Sequence, residues 1–129
     1  MRLKYTILYV ESVIQTIEFF EKAFSLKRKM IHESGDYGEL DTGTTILSFS
    51  SKPLMIQLGK SPGDPDPKKP VFEIAFETEN VAEALKKARD AGATVIQEVR
   101  DEPWGQTTSY VTDSNGFLIE ICSPVRGLS

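Results

Sequence analysis

A proline-rich segment near the middle of the chain limits how this sequence can fold. Residues 59–70 contain Pro62, Pro65, Pro67 and Pro70. Proline lacks a backbone N–H and fixes φ, so neither a helix nor a strand continues through this segment. The full length of 129 residues is typical of one domain. The sequence therefore predicts a single domain, 1–129, made of a first module (1–58), a linker (59–70) and a second module (71–129).

The first module is predicted to contain a strand, a helix and three further strands. Residues 3–10 favour a strand, and Ser12 with Gln15 three residues later is typical of a helix N-cap. The helix has one apolar stripe at Val13, Ile17, Phe20 and Phe24. Three strands are then predicted at 26–34, 44–50 and 54–58, with Gly35, Gly38 and Gly43 in turns.

The second module repeats this order. A strand is predicted at 71–78, and Asn80 is predicted to cap a helix with Val81, Leu85 and Ala88 on its apolar side. Strands follow at 94–99, 107–112 and 117–121, the last two joined by a turn at 113–116. The halves align with Tyr5 on Glu73 and 54–58 on 117–121, which requires a longer loop in the first half. The predicted fold class is α+β, with two βαβββ modules forming a curved mixed sheet.

Composition and charge exclude several classes of protein. The chain has 15 Lys+Arg against 19 Asp+Glu, a net charge of −4, and is 40% hydrophobic. It therefore lacks the basic face that nucleic acids or anionic membranes require, and it is apolar enough to fold. Cys122 is the only cysteine, so no intramolecular disulfide forms. The N-terminus lacks the apolar core of a signal peptide, and we expect a cytoplasmic protein without nucleic-acid or membrane partners.

Alternation along the strands predicts which side chains share the sheet face opposite the helices. Tyr5, Ile7 and Tyr9 lie on one face of the first strand. Glu73 and Glu120 are placed on the corresponding face of the second module, and the alignment gives Gln57 the position equivalent to Glu120. If the sheet curves, Tyr5, Gln57, Glu73 and Glu120 line one trough, a common place for a ligand.

At this point the sequence resembles a known superfamily. The resemblance rests on the repeated βαβββ order, the segment from Tyr5 to Val10 with its following helix, and the motif Pro103-Trp104-Gly105-Gln106. A second motif is the turn at 113–116 with the strand at 117–121. Together they are similar to the vicinal oxygen chelate superfamily, which includes glyoxalase I, extradiol dioxygenases and bleomycin-resistance proteins. The resemblance implies a homodimer that handles a small molecule.

The resemblance also implies where a metal ion is bound in metal-dependent members. Their ligand positions fall on Tyr5, Gln57, Glu73 and Glu120, and none of these is histidine. The single histidine, His32, falls in the predicted second strand. A site of Gln57, Glu73 and Glu120 has only oxygen ligands, which suit Mg²⁺, Mn²⁺ or Ca²⁺ better than Zn²⁺, Ni²⁺ or Fe²⁺. We predict no cofactor, with a divalent metal ion as the open alternative.

Two functions follow from these residues. In the first, the protein is a glyoxalase-like lyase or isomerase acting on an oxygen-bearing metabolite, with Glu73 and Glu120 as acid and base. Tyr5, Gln57, Tyr9 and Trp104 then contact the substrate. In the second, the carboxylates form a satisfied polar floor and the protein binds a small molecule or drug without catalysis. A scaffold with an empty trough is the third alternative.

Overall fold

The computed structural model describes residues 1–126. The chain divides into two compact units, Met1–Asp64 and Pro65–Ser129. The division falls inside the predicted linker, and the module boundaries at 58 and 71 stay predictions. Among the described residues, no helix combines the length and apolar character needed to cross a membrane.

The first unit contains a four-stranded mixed sheet and two helices. Its elements in chain order are β1 (Tyr5–Val10), α1 (Val13–Phe24), β2 (Lys27–Ile31), β3 (Tyr37–Asp41), β4 (Ile46–Ser51) and α2 (Lys52–Gln57). The strand order is β1-β4-β3-β2, with β1 parallel to β4 and the other pairs antiparallel. The βαβββ order is confirmed, although the strand predicted at 54–58 is wrong and the strand β3 was not predicted.

The last predicted strand of the first module, residues 54–58, is part of a helix. The Ser51 hydroxyl accepts a hydrogen bond from the Leu54 backbone N–H at 3.2 Å and so caps α2. Proline in the first turn of this helix is favourable, because an N–H there has no partner within the helix. The sequence Ser51-Lys52-Pro53, which resembles a turn, is therefore a helix start.

The strand β3 differs from the sequence-based prediction, which places Gly35, Gly38 and Gly43 in turns. Gly35 and Gly43 do bound the strand, with φ of 77° and 96°. Gly38 instead lies within it, where an added Cβ would come within 2.5 Å of Ile17 Cδ1. This glycine allows α1 to pack closely on the sheet.

The second unit has the same architecture. Its elements are β5 (Glu73–Glu77), α3 (Val81–Asp90), β6 (Thr94–Glu102), β7 (Gln106–Thr112) and β8 (Leu118–Cys122). The strand order is β5-β8-β7-β6, with β5 parallel to β8. Every predicted strand of this module is confirmed, and Asn80 caps α3 by accepting from the Glu83 N–H at 3.1 Å.

The helices α1 and α3 each cover one face of their own sheet. In the first unit, Ile17 and Phe20 of α1 are fully buried with Val10 and Phe49 of the sheet. The second unit buries Val81, Leu85 and Ala88 of α3 and, from β8, Ile119 and Ile121. Burial of these apolar side chains is the main source of stability, and the opposite face of each sheet is not covered by α1 or α3. We call that uncovered side the open face.

Strand register corrects the alignment of the two halves. Ile7 pairs with Ser48, while the corresponding residue of the second unit, Ala75, pairs with Glu120. Ser48, rather than Gln57, is therefore the counterpart of Glu120. The segment between the first and last strands is therefore longer in the second half. The sequence alignment predicted the longer loop in the first half, and that prediction is wrong.

The turn between β7 and β8 depends on the buried carboxylate of Asp113. Its Oδ1 accepts from the backbone N–H groups of Gly116 and Phe117 at 3.0 and 2.9 Å. We expect Asp113→Ala to lower the free energy of unfolding by about 2 kcal/mol, because it leaves buried N–H groups without an acceptor. Urea denaturation measures this loss. Asp113→Asn, which keeps the acceptor oxygen, should retain most of the stability, and equal losses in both variants would contradict the explanation.

Candidate active site

The open face of the second unit's sheet carries two carboxylates and a phenol. Tyr110 on β7 lies directly opposite Glu120 on β8, and Ala75 on β5 is the other neighbour of Glu120. Directly paired residues share a face, so Tyr110 and Glu120 project to the same side. Glu73, two residues before Ala75, projects to that side as well. The expected proximity of Glu73 and Glu120 is therefore present within this unit.

Tyr110 is held by the carboxylates. Its hydroxyl donates a hydrogen bond to Glu120 Oε2 at 3.0 Å. Burial, followed by the hydrogen bond and charge of Glu120 and the charge of Glu73, raises the pKa of Tyr110. The phenol consequently keeps its proton at neutral pH and acts as a donor. Sequence reasoning did not select Tyr110 for the site.

The surroundings of Glu73 raise its pKa. Burial, the charge of Glu120 and a hydrogen bond with Glu120 raise the pKa of Glu73, against a smaller opposing effect of Tyr110. A carboxyl group with a raised pKa beside a second carboxyl group can serve as an acid next to a base. Glu73 is therefore the candidate acid, and Glu120 accepts the hydrogen bond from Tyr110.

The raised pKa of Glu73 makes stability depend on pH. Between the ordinary carboxyl pKa and the raised value, the folded state binds more protons than the unfolded state, so the free energy of unfolding falls as pH rises. We expect Glu73→Gln to remove this fall and to raise Tm at neutral pH relative to wild type. Denaturation from pH 4 to 8 tests this, with Glu77→Gln on the same strand as the control. Parallel wild-type and Glu73→Gln curves would contradict it.

Cys122 also lies on this face but is not suited to be a nucleophile. It is buried, and its Sγ donates to the Phe76 carbonyl at 3.6 Å. Burial, followed by the charges of Glu120 and Glu77, raises the pKa of the thiol. A reactive cysteine needs the opposite surroundings, which favour the thiolate.

Trp104 lies in the turn between β6 and β7. Its indole N–H donates to Gln106 Oε1 at 2.7 Å, and Gln106 in turn donates to the Ser123 carbonyl at 3.0 Å. The indole is thus oriented although it is 51% exposed. Gln106 and Tyr110 are four residues apart on β7, roughly 13 Å in an extended strand. A ligand that stacks on Trp104 and also reaches Tyr110 must therefore be elongated.

The other predicted contact residues belong to the first unit. Tyr5 and Tyr9 lie on the open face of its sheet, where Tyr5 is 44% exposed. Gln57 is the last residue of α2 and is exposed, so its assignment to a strand beside Tyr5 is wrong. The argument for Gln57 as a substrate contact rested on that strand and therefore no longer applies. The roles of Tyr5 and Tyr9 stay predictions.

The donor chemistry does not fit the metal ion that the resemblance implies. Within residues 1–126, no group of three or more His, Cys, Asp or Glu side chains is close enough to hold a metal ion. The register counterparts of Glu73 and Glu120 are Tyr5 and Ser48, which are poor ligands at neutral pH. His32 Nδ1 accepts from the Ser34 N–H at 3.1 Å and so belongs to a local turn. We derive no chemistry through a metal.

Comparison with known proteins places this fold in a family. A family model described as a glyoxalase-like domain matches residues 3–126. The chain belongs to the glyoxalase-like family. It is also 26% identical over 132 residues to the lactoylglutathione lyase of Escherichia coli O157:H7, covering 94% of this chain and 91% of that protein.

Solved structures of other proteins share this fold. A glyoxalase-related enzyme from Fulvimarina pelagi superposes with a TM-score of 0.82 at 15% identity, covering 95% of this chain and 88% of that one. A glyoxalase/bleomycin resistance protein/dioxygenase family enzyme from Burkholderia phytofirmans PsJN gives a TM-score of 0.76 at 18% identity, with coverage of 95% and 98%. The α+β fold of two βαβββ modules, and the resemblance to the vicinal oxygen chelate superfamily, are confirmed. The structure has two four-stranded sheets, and the joining of the modules into one curved sheet stays a prediction.

Proposed function

We propose that this glyoxalase-like protein is an enzyme that moves protons on a small oxygen-bearing metabolite without a metal ion. The observation that supports it is the grouping of Glu73, Glu120 and Tyr110 on one open face, with the pKa of Glu73 raised. The relationship to a lactoylglutathione lyase favours a lyase or isomerase reaction.

The proposed reaction is the interconversion of a hydroxy-carbonyl compound with its isomer. The carboxylate of Glu120 removes a proton from the carbon beside the carbonyl, and the carboxylic acid of Glu73 gives its proton to the carbonyl oxygen. An enediol results, with Glu120 protonated and Glu73 ionised. Glu120 then gives its proton to the former carbonyl carbon, and Glu73 takes the proton from the hydroxyl on the first carbon, which becomes the carbonyl of the isomer. Positioned acids and bases are effective when their pKa values lie near the working pH, which the raised pKa of Glu73 favours.

Solvent deuterium exchange tests this proposal. The protein is incubated in D₂O with hydroxyacetone, dihydroxyacetone, glyceraldehyde and lactaldehyde, and loss of the proton beside the carbonyl is followed by NMR. We expect enhanced exchange with at least one compound, unaffected by EDTA. Absence of exchange with all four, or its loss on chelation, would contradict the proposal. Methylglyoxal–glutathione hemithioacetal should not react, because the histidine ligands of glyoxalase I are absent.

A second candidate function is binding without catalysis, and the exposed, oriented indole of Trp104 favours it. Trp104 is the only tryptophan, so its fluorescence reports directly on a ligand that stacks there. Quenching across a library of planar compounds identifies ligands, and calorimetry then compares their affinity for wild type and Trp104→Phe. Unchanged affinity for every ligand would contradict stacking on Trp104.

We also propose a cytoplasmic homodimer, on the basis of the family resemblance and the single cysteine. Light scattering of the purified protein tests the assembly. A mass of twice 14.4 kDa supports the dimer, whereas 14.4 kDa contradicts it.

A further inference from the structure

The turn between β7 and β8 contains Asn115-Gly116, the only asparagine–glycine pair in the sequence. In such a pair, the glycine nitrogen can attack the carbonyl carbon of the asparagine side chain. The bond from that carbon to Nδ2 breaks, and the amide leaves as ammonia with the proton of the glycine nitrogen. Water then opens the resulting succinimide to aspartate or isoaspartate. Glycine has no side chain to hinder this attack, so the pair is prone to deamidation.

The shape of the turn requires glycine at position 116. Gly116 has a φ of 100°, in the left-handed region that residues with a Cβ rarely adopt. An added Cβ would also lie 3.0 Å from the backbone carbonyl oxygen of Pro65, closer than ordinary van der Waals contact. A larger residue, which would slow the attack on Asn115, is therefore disfavoured here.

The buried carboxylate of Asp113 restrains both reacting groups. The Gly116 N–H donates to the Asp113 backbone carbonyl at 3.1 Å and to Asp113 Oδ1 at 3.0 Å. The side-chain amide of Asn115 donates to Asp113 Oδ2 at 2.9 Å. The Gly116 nitrogen must give up its proton to attack, and acceptors that hold this proton oppose the loss. Asp113 is only 6% exposed, so water does not readily replace it as the acceptor.

The second asparagine of the chain has a different neighbour. Asn80 is followed by Val81, whose side chain branches at Cβ and crowds the backbone nitrogen that would attack. Val81 is also buried at the start of α3. Asn80 therefore serves as an internal control for deamidation that does not depend on an adjacent glycine.

We propose that Asn115 is a deamidation site that Asp113 protects in the folded protein and that reacts when the turn opens. The protection is local, because the acceptors described above belong to one residue of the same turn. Isoaspartate adds one carbon atom to the backbone of a turn whose ends, Thr112 and Leu118, are paired. The modified turn therefore closes less well, and one opening leaves a permanent covalent change. This modification does not rest on the proton transfer proposed for the same unit.

Mass spectrometry of the full-length protein tests the proposal. Wild type is incubated at about pH 8 and about 37 °C, with and without denaturing urea, because an unfolded chain is open to chemical modification. Deamidation raises the mass of the peptide that contains Asn115 by about 1 Da. We expect reaction at Asn115 to be at least about tenfold faster in urea than in the folded protein, since opening of the turn limits it. Asn80 should stay intact in both over the same time.

Variants separate protection by the turn from protection by the fold as a whole. Asp113→Ala should deamidate at Asn115 at least about tenfold faster than wild type, at a temperature where circular dichroism shows both folded. Asp113→Asn keeps one acceptor oxygen and should react at an intermediate rate, with fragment ions separating position 115 from position 113. Phe49→Ala, which removes a buried ring from the first unit, is the matched control and should react more slowly than Asp113→Ala.

Four outcomes would each overturn the proposal. They are equal rates in folded and unfolded wild type, absence of reaction at Asn115 in urea, wild-type rates in both Asp113 variants, and equal acceleration by Phe49→Ala and Asp113→Ala.

Discussion

Phe49→Ala is expected to lower the free energy of unfolding by about 3–5 kcal/mol, a larger loss than that expected from removing the Asp113 carboxylate. Phe49 is fully buried on β4, between the strands β1 and β3. Its ring lies 5.2 Å from that of Phe20 on α1. Removing it leaves a cavity at the contact of helix and sheet, which the surrounding backbone cannot close. Total stabilities of about 5–15 kcal/mol make this a substantial fraction.

Urea denaturation monitored by circular dichroism measures the loss. Phe72→Ala is the matched control, since Phe72 is 49% exposed and its ring lies beside that of Phe117 in the second unit. It should cost less than about 1 kcal/mol, because much of its ring stays in contact with water. A Phe20→Ala variant and the double variant complete a cycle, in which the two losses should add to more than the double loss because the residues share one contact. A small effect of Phe49→Ala would show that the core does not depend on this contact.

The sequence predicted the second unit more accurately than the first, and glycine and proline explain the difference. In the second unit, strands and turns occur where the residue preferences predict them, and Asp113 and Gly116 form a tight turn. In the first unit, Gly38 looks like a turn residue but lies in a strand, because Ile17 needs the space of its absent Cβ. Likewise, Pro53 looks like a break between two strands, whereas it lies in the first turn of a helix. Both are cases where tertiary packing and capping outweigh local preference.

Site residues could be predicted where the strands themselves were predicted correctly. Alternation along β5 and β8 placed Glu73 and Glu120 on one face, since that argument needs only the period of two. Tyr110 could have been found by the same count, because it lies opposite Glu120 in a hairpin whose turn was predicted. Gln57 could not be placed, because its register depended on a strand that does not exist. Ser48 could be recognised as the counterpart of Glu120 only from the observed pairing of β1 with β4.

Glu120→Gln is expected to reduce the proposed proton transfer by about 10²–10⁴-fold, the usual contribution of a positioned acid or base. The amide that replaces the carboxylate still accepts a hydrogen bond from Tyr110, so the fold should be retained. It cannot take a proton from carbon. The rate of deuterium exchange with the most reactive compound of the panel, at saturating concentration, measures the effect. A variant with full exchange activity would exclude Glu120 as the base.

The pH dependence separates the base from the acid. In wild type, exchange should decrease as pH rises through the raised pKa of Glu73, because the proton that stabilises the enolate oxygen is then lost. Glu73→Gln should be slower at low pH and should lack that decrease, whereas Tyr110→Phe should keep it with a lower rate throughout. If Glu73→Gln retained the decrease, the titrating acid would be a different group. A binding protein without catalysis would show no exchange in any variant, while its ligands would still quench the fluorescence of Trp104.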